Sequence, residues 1–161
     1  MPVSAPEEFW PVDPAYQERY DRYVGYGAEE AARSSVAIVC IARNGMPYLV
    51  NTLGLIDELA RKFNETRLFC FENDSTDGTD KALDAFASTR QWVTIAHESL
   101  HRPDYRGFEP DRTVALAEYR NRCRIWVENC AKDAQYVVVL DTDPHGGFSV
   151  DGVLNSIGWL C

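Results

Sequence analysis

The sequence predicts an α/β fold, a parallel sheet flanked by helices, and three observations predict it. Short, mostly apolar runs recur at 36–42, 67–71, 92–96 and 136–140, and the first and last are rich in β-branched residues. Stretches with a 3.6-residue apolar period lie between them. Polar groups gather just past the ends of three of the runs: Arg43 and Asn44, Glu72 and Asn73, Asp141 and Asp143. Strand, helix, strand, helix, strand requires right-handed crossovers and so parallel pairing. In such a sheet a ligand sits beyond the carboxyl ends of the strands, where the strand order reverses.

Taken in order, residues 1–12 are proline-rich and read as an irregular arm. Asp13-Pro14 then supplies an N-cap and a proline at the first helical position. Tyr16, Tyr20 and Tyr23 follow at i, i+4 and i+7, a packing face on a short helix that Gly25 and Gly27 are expected to break. Residues 1–34 are thus an N-terminal arm with a short helix, and 35–161 the sheet domain.

The run 36–42 is the first buried strand, and Pro47 opens a helix whose apolar face is Leu49, Leu53, Ile56, Ala60 and Phe63. The second strand, 67–71, leads into Glu72-Asn-Asp-Ser-Thr-Asp-Gly-Thr79. There Asp77-Gly-Thr79 caps the next helix, with Leu83 and Phe86 buried. After the third strand, 92–96, residues 101–112 hold two prolines, a glycine and three arginines. They read as a surface loop, either a solvated connection or a lid.

A helix from Thr113 to about Lys132 carries the stripe Leu116, Tyr119, Cys123, Val127 and Cys130. At 100° per residue Arg120 lies only ~40° from Leu116, inside that stripe. A guanidinium there needs an anionic partner, either a phosphate or the carboxylate of Glu72 or Asp141. Arg122 and Arg124 point elsewhere, toward solvent.

The run 136–140, mostly valine, reads as a strand buried on both faces. Asp141 and Asp143 follow at i and i+2, on one side of the chain and roughly 6–7 Å apart. Two like charges so close repel unless a cation or a proton lies between them. An Asp-rich turn that only ends the strand is the structural alternative. His145 falls in the turn that follows and is read as solvated, and a short helix runs to about Gly158. The chain stops 161 − 143 = 18 residues past the second carboxylate, little room for further machinery.

Composition narrows the partners. With 16 basic against 25 acidic residues the net charge is -9, which argues against nucleic acid. An anionic ligand would depend on local arginines or a metal. No apolar segment approaches the ~20 residues of a membrane span, and the first residues lack the pattern of a signal peptide. The five cysteines include no C-x-x-C pair, and Cys40, Cys70, Cys123 and Cys130 are read as small buried hydrophobes. A glycan on the Asn73 sequon would block the suspected site, so the expected setting is cytoplasmic, or host cytoplasm if the chain is viral. Neither G-x-x-x-x-G-K nor G-x-G-x-x-G occurs.

Over about residues 35 to 160 these segments resemble the nucleotide-sugar glycosyltransferases of GT-A fold, a Rossmann-like architecture. The matching elements are Ala42-Arg-Asn44, Glu72-Asn73 with Asp74-Ser-Thr-Asp-Gly-Thr79, Tyr119-Arg120-Asn121 and the DxD at Asp141-Thr142-Asp143. The pattern is similar to the family-2 enzymes and closer to fungal capsule-type mannosyltransferases and algal-virus glycosyltransferases. The resemblance implies a metal-dependent transfer of a sugar from a nucleotide-diphosphate sugar to a glycan or other hydroxyl acceptor. Asp141 and Asp143 would hold Mn²⁺ or Mg²⁺, a hard cation bridging the diphosphate. Arg43 and Arg120 would meet that diphosphate. Glu72 and Asn73 would contact base or ribose. Ala42, Asn44, Asp74 and Thr142 complete the implied donor site. Asn73 stands where the family places an acid, and the C-terminal part that usually carries the acceptor site and catalytic base is short or missing. The alternatives are a non-catalytic donor-binding fragment and a DxD phosphatase of haloacid-dehalogenase type. The latter needs its DxD early in the chain.

Overall fold

β1 (Ser35–Ala42) runs between β2 (Glu65–Asn73) and β4 (Tyr136–Asp141), and β3 (Val93–Glu98) lies outside β2. All three pairings are parallel; Ile38 sits beside Leu68 on one flank and Val138 on the other. The computed structural model describes residues 6–8, 11–105, 107, 109–142 and 147–161. Alternation along the strands splits the core in two. Ile38, Cys40, Leu68, Cys70 and Leu140 face α2 (Leu49–Ala60), α3 (Thr79–Ala87) and α5 (Val150–Gly158). Val39, Phe69 and Phe71 face α4 (Pro110–Cys130), chiefly Ala115, Tyr119 and Cys123. The expected α/β class, a parallel sheet with helices on both faces, is what the chain forms.

Four expectations need correcting. β4 is an edge strand, not one buried on both faces: Val137 is 49% and Val139 61% exposed. α4 packs chiefly over β1 and β2, which leaves Val137 and Val139 on the α4-side face of β4 largely uncovered. The second concerns α1 (Gln17–Ala31), which passes straight through both glycines. A Cβ on Gly27 would run into the Leu154 carbonyl, and one on Gly158 into the Tyr23 carbonyl. Glycine is there so that α1 and α5 can touch backbone to backbone. The seam is closed by Tyr23 stacked on Trp159, with ring centroids 3.9 Å apart.

Third, α4 begins at Pro110, three residues before the expected start, with proline where a helix needs no N–H. Its stripe is buried at Tyr119 and Cys123 but not at Cys130, which is exposed and beyond the reach of the core cluster. Fourth, Arg122 is not simply solvated. It pairs with Glu98 and lies over the Phe71 ring, 4.7 Å from its centroid, while Arg124 pairs with Glu128 on the exposed side. No helix among the described residues is long and apolar enough to cross a membrane.

Candidate functional site

The strand order reverses between β1 and β4, and a cleft of about 490 Å³ opens beyond their carboxyl ends on the α4 side. That volume suits a small-molecule ligand. β1 contributes Ile41, Ala42 and, just past its end, Arg43. Asn73 comes from the end of β2, Asp141 and Thr142 from the end of β4. α4 lines the opposite wall with Arg112, Ala115, Leu116, Tyr119 and Arg120, and the loop before it adds Asp104 and Tyr105. Three guanidinium groups therefore meet two carboxylates in a chain whose net charge is -9.

Arg120 donates from Nη2 to Asp141 Oδ1 at 3.1 Å. Asp141 is one of the anionic partners expected for it, but the burial expected for Arg120 is absent. Its side chain is 50% exposed because it stands beside uncovered β4. Thr142 is buried and its hydroxyl donates to the Ile41 carbonyl at 2.9 Å, pinning the exit of β4 to β1. Asn73 is 2% exposed. Its amide donates to Asp74 Oδ2 at 3.1 Å and to the Tyr119 hydroxyl at 3.4 Å. That hydroxyl keeps its own proton for another acceptor.

Behind the cleft, the loops leaving β1 and β2 are tied to each other. Asn44 and Asp74 both adopt positive φ, 49° and 54°, a region that Asn and Asp enter more readily than other side chains. The Asn44 N–H donates to Ser75 Oγ at 3.1 Å, and Asn44 Oδ1 accepts from the Thr76 N–H at 2.9 Å. Gly45 N–H donates to Thr79 Oγ1 at 2.9 Å and Met46 N–H to Asp77 Oδ2 at 2.8 Å. Asp77 Oδ1 also accepts from the Thr79 N–H at 3.0 Å, as the expected start signal for α3 requires, with Gly78 at φ 93° in the cap position itself. Burial acts to raise the Asp77 pKa, but the hydrogen bonds from Thr79 and Met46 prevail and leave it lowered. The run 74–79 is a lashing between two loops.

Arg43 and Asp74 hold a third loop. Asp74 Oδ1 accepts from the backbone N–H groups of Leu100 and His101, each at 3.0 Å, and Oδ2 from that of Arg102 at 3.4 Å. Arg43 donates to the carbonyls of Arg102 and Pro103 at 2.7 and 2.9 Å. The start of the loop read as connection or lid is therefore fixed from both sides. Burial pushes the Asp74 pKa up, and the hydrogen bonds from Asn73 and these backbone groups more than reverse it. Arg43 Nε is buried and has no hydrogen-bond partner among the described residues. A buried donor left so is costly unless an acceptor arrives.

Glu72 points the other way. It alternates with Asn73 onto the α3 side, is 4% exposed, accepts from the Ser75 N–H at 3.0 Å and meets His97 Nδ1 at 2.7 Å. Of the residues singled out from sequence, Ala42, Arg43, Asn73, Arg120, Asp141 and Thr142 line the cleft, while Asn44, Glu72 and Asp74 stand behind it. Asp143 and His145 lie outside the described residues. Asp104, Tyr105, Arg112 and His97 were not singled out. The charged loop 101–112 was the available signal for the first three; nothing in the sequence marked His97.

The donor chemistry at Asp141 fits a hard divalent cation. Its side chain is 63% exposed at the cleft rim, and among the described residues only Oδ1 has a partner. The described residues hold no group of three or more metal-ligating side chains. A cation that also takes phosphate oxygens needs only one or two carboxylates.

No family model matches the chain, and no curated protein matches it. Among solved structures it is similar to the mannosyltransferase PcManGT from Pyrobaculum calidifontis in complex with GDP-Man and Mn²⁺, at 17% identity and a TM-score of 0.46. The match covers 91% of this chain and 42% of that one, so the chain spans less than half of that protein's length. The α/β assignment stands on the strand order and registers of the chain itself.

Proposed function

We propose that the cleft binds a nucleoside-diphosphate sugar with a divalent cation, and that the chain is a metal-dependent glycosyltransferase. One observation carries the reading. The topological switch point holds a carboxylate, Asp141, within hydrogen-bond reach of Arg120, across from Arg43 with its unsatisfied buried Nε. Carboxylate and guanidinium groups converging in a cleft fit a diphosphate that arrives with a cation. Neither a neutral ligand nor an anion without a metal needs both signs of charge.

In this reading Asp141, with Asp143 from the sequence pattern, holds Mn²⁺ or Mg²⁺. When bound, the cation neutralises charge on the leaving diphosphate. Arg120 turns from Asp141 toward a phosphate oxygen, and Arg43 Nε gains an acceptor without releasing the loop carbonyls it already holds. Asn73 and the Tyr119 hydroxyl, both fixed by burial, face the nucleoside. Tyr105 and Asp104 close the outer side. The acceptor is a hydroxyl of a glycan or similar molecule.

The test is turnover of a panel of nucleotide-diphosphate sugars in the presence of Mn²⁺, with and without a chelator and with simple glycoside acceptors. The expected result is metal-dependent release of nucleoside diphosphate that Asp141→Ala lowers by 10²-fold or more, the scale of losing a transition-state charge partner. Phosphate release from a generic phosphate ester would favour the phosphatase alternative. Tight metal-dependent nucleotide binding with no turnover would favour the donor-binding fragment.

A further inference from the structure

His97 sits on β3 directly beside Glu72 of β2 in the parallel register. Its Nδ1 meets Glu72 Oε2 at 2.7 Å and its Nε2 meets Asp84 Oδ1 of α3 at 2.9 Å. A neutral imidazole has one N–H and one lone pair, so it can satisfy one of these carboxylates while turning a lone pair on the other. Only the imidazolium donates to both. The contacts continue inward. Glu72, buried, also accepts from the Ser75 N–H, and Ser75 Oγ in turn accepts from the Asn44 N–H at the exit of β1. From the α3 surface to the cleft's back wall the line is unbroken: Asp84, His97, Glu72, Ser75, Asn44.

We infer that His97 is a positioning residue for the cleft, holding Glu72 so that the loops leaving β1 and β2 keep the shape in which Arg43 and Asn73 line the site. This deepens the proposed function, since the ligand it serves is the nucleoside diphosphate of that reading. A buried carboxylate without its partner is expensive and turns toward water. The same carboxylate holds the Ser75 N–H through its other oxygen, so a Glu72 that turns disturbs that bond.

The titratable groups facing His97 are Glu72 from β2 and Asp84 from α3. Burial acts to lower its pKa, but the hydrogen bonds and charges of these carboxylates outweigh that and raise it. A pKa raised on folding gives stabilisation that is complete below the unfolded imidazole value, about 6.5, and is lost as pH rises through the folded value. The rim should therefore loosen on the alkaline side.

The experiment compares wild type with His97→Gln and Asp84→Asn from about pH 6 to 9, the range over which such a histidine titrates. Amide exchange, corrected for its intrinsic pH dependence, is followed at Ser75 and Asn44. In parallel, affinity for a nucleoside diphosphate with Mn²⁺ is measured by calorimetry. Wild type is expected to lose protection at these two amides as pH rises, and affinity with it. His97→Gln is expected to show low protection and about tenfold weaker binding with a flat pH profile, the effect of one charge-assisted hydrogen bond. Asp84→Asn should fall between. Wild-type protection at Ser75 and Asn44 in His97→Gln would overturn the inference. So would losses spread evenly over all sheet amides, because that marks a general packing role. If wild type binds no nucleotide at any pH, the proposed function fails, and the exchange measurement still decides the role of His97.

Discussion

Asp74 and Arg43 take opposite halves of one loop's backbone: the carboxylate collects N–H groups from residues 100–102, and the guanidinium collects the carbonyls of 102 and 103. Asp74→Asn keeps the shape but loses the charge and one acceptor oxygen. It should lower stability by about 1–2 kcal/mol in urea unfolding at neutral pH and speed amide exchange at 100–102. A carboxyl whose pKa is lowered on folding contributes fully above the unfolded value, about 3.9, and its contribution is lost as pH falls through the folded value. The same amides should therefore lose protection on acidification in wild type, with no such step in Asp74→Asn. The polar character of both residues at strand exits was legible. Their partners were not, because backbone N–H groups 26 to 28 residues after Asp74 and carbonyls 59 and 60 residues after Arg43 carry no signature in the sequence. Arg120 is the converse case. A cation on the helix wall facing a strand end has few carboxylates within reach, so Asp141 could be anticipated.

At the level of elements, the two glycines of α1 divide cleanly. Gly27 lies against the α5 backbone, whereas a Cβ on Gly25 would meet nothing within 4 Å. Gly27→Ala should cost about 1–3 kcal/mol, or roughly 2–12 °C in melting temperature, through forced separation of α1 and α5. Gly25→Ala, in the same helix and exposed, should be neutral or stabilising by up to about 1 kcal/mol. Equal losses from both would contradict the close-contact account. Read locally, both glycines lower helix propensity and mark a break. Packing against α5 overrides that cost, and the partner helix begins 123 residues after Gly27 (150 − 27 = 123). The boundaries of α4 show the same limit in miniature, since a proline inside a loop-like run also serves as a first helical residue.

For the molecule as a whole, alternating apolar runs and amphipathic stretches were enough to read a parallel α/β sheet with polar groups at one rim. They could not give the order β3-β2-β1-β4, and so could not show that β4 lies at the edge with Val137 and Val139 uncovered. A valine-rich run looks the same whether one flank or two are covered. The core also predicts thiol chemistry. Cys40, Cys70 and Cys123 are buried; a hydrogen bond with Cys40, and then burial, pushes the Cys70 thiol up, and burial pushes the Cys123 thiol up to about 11. In the native protein a thiol-reactive dye should label two of the five cysteines, Cys130 and Cys161, quickly, with the other three appearing only in denaturant. Rapid labelling of a third would mean the sheet's central layer opens easily.

Thermal melting against a panel of nucleoside diphosphates, with and without Mn²⁺, decides whether Asp141 and the cleft arginines receive a diphosphate together with a cation. At a ligand concentration about 100 times Kd, binding adds roughly 2.7 kcal/mol, a rise of about 5–10 °C for a domain of this size. The rise is expected only when nucleotide and Mn²⁺ are both present, and Asp141→Ala should abolish it. An equal rise without metal, or one that survives Asp141→Ala, would contradict such joint binding.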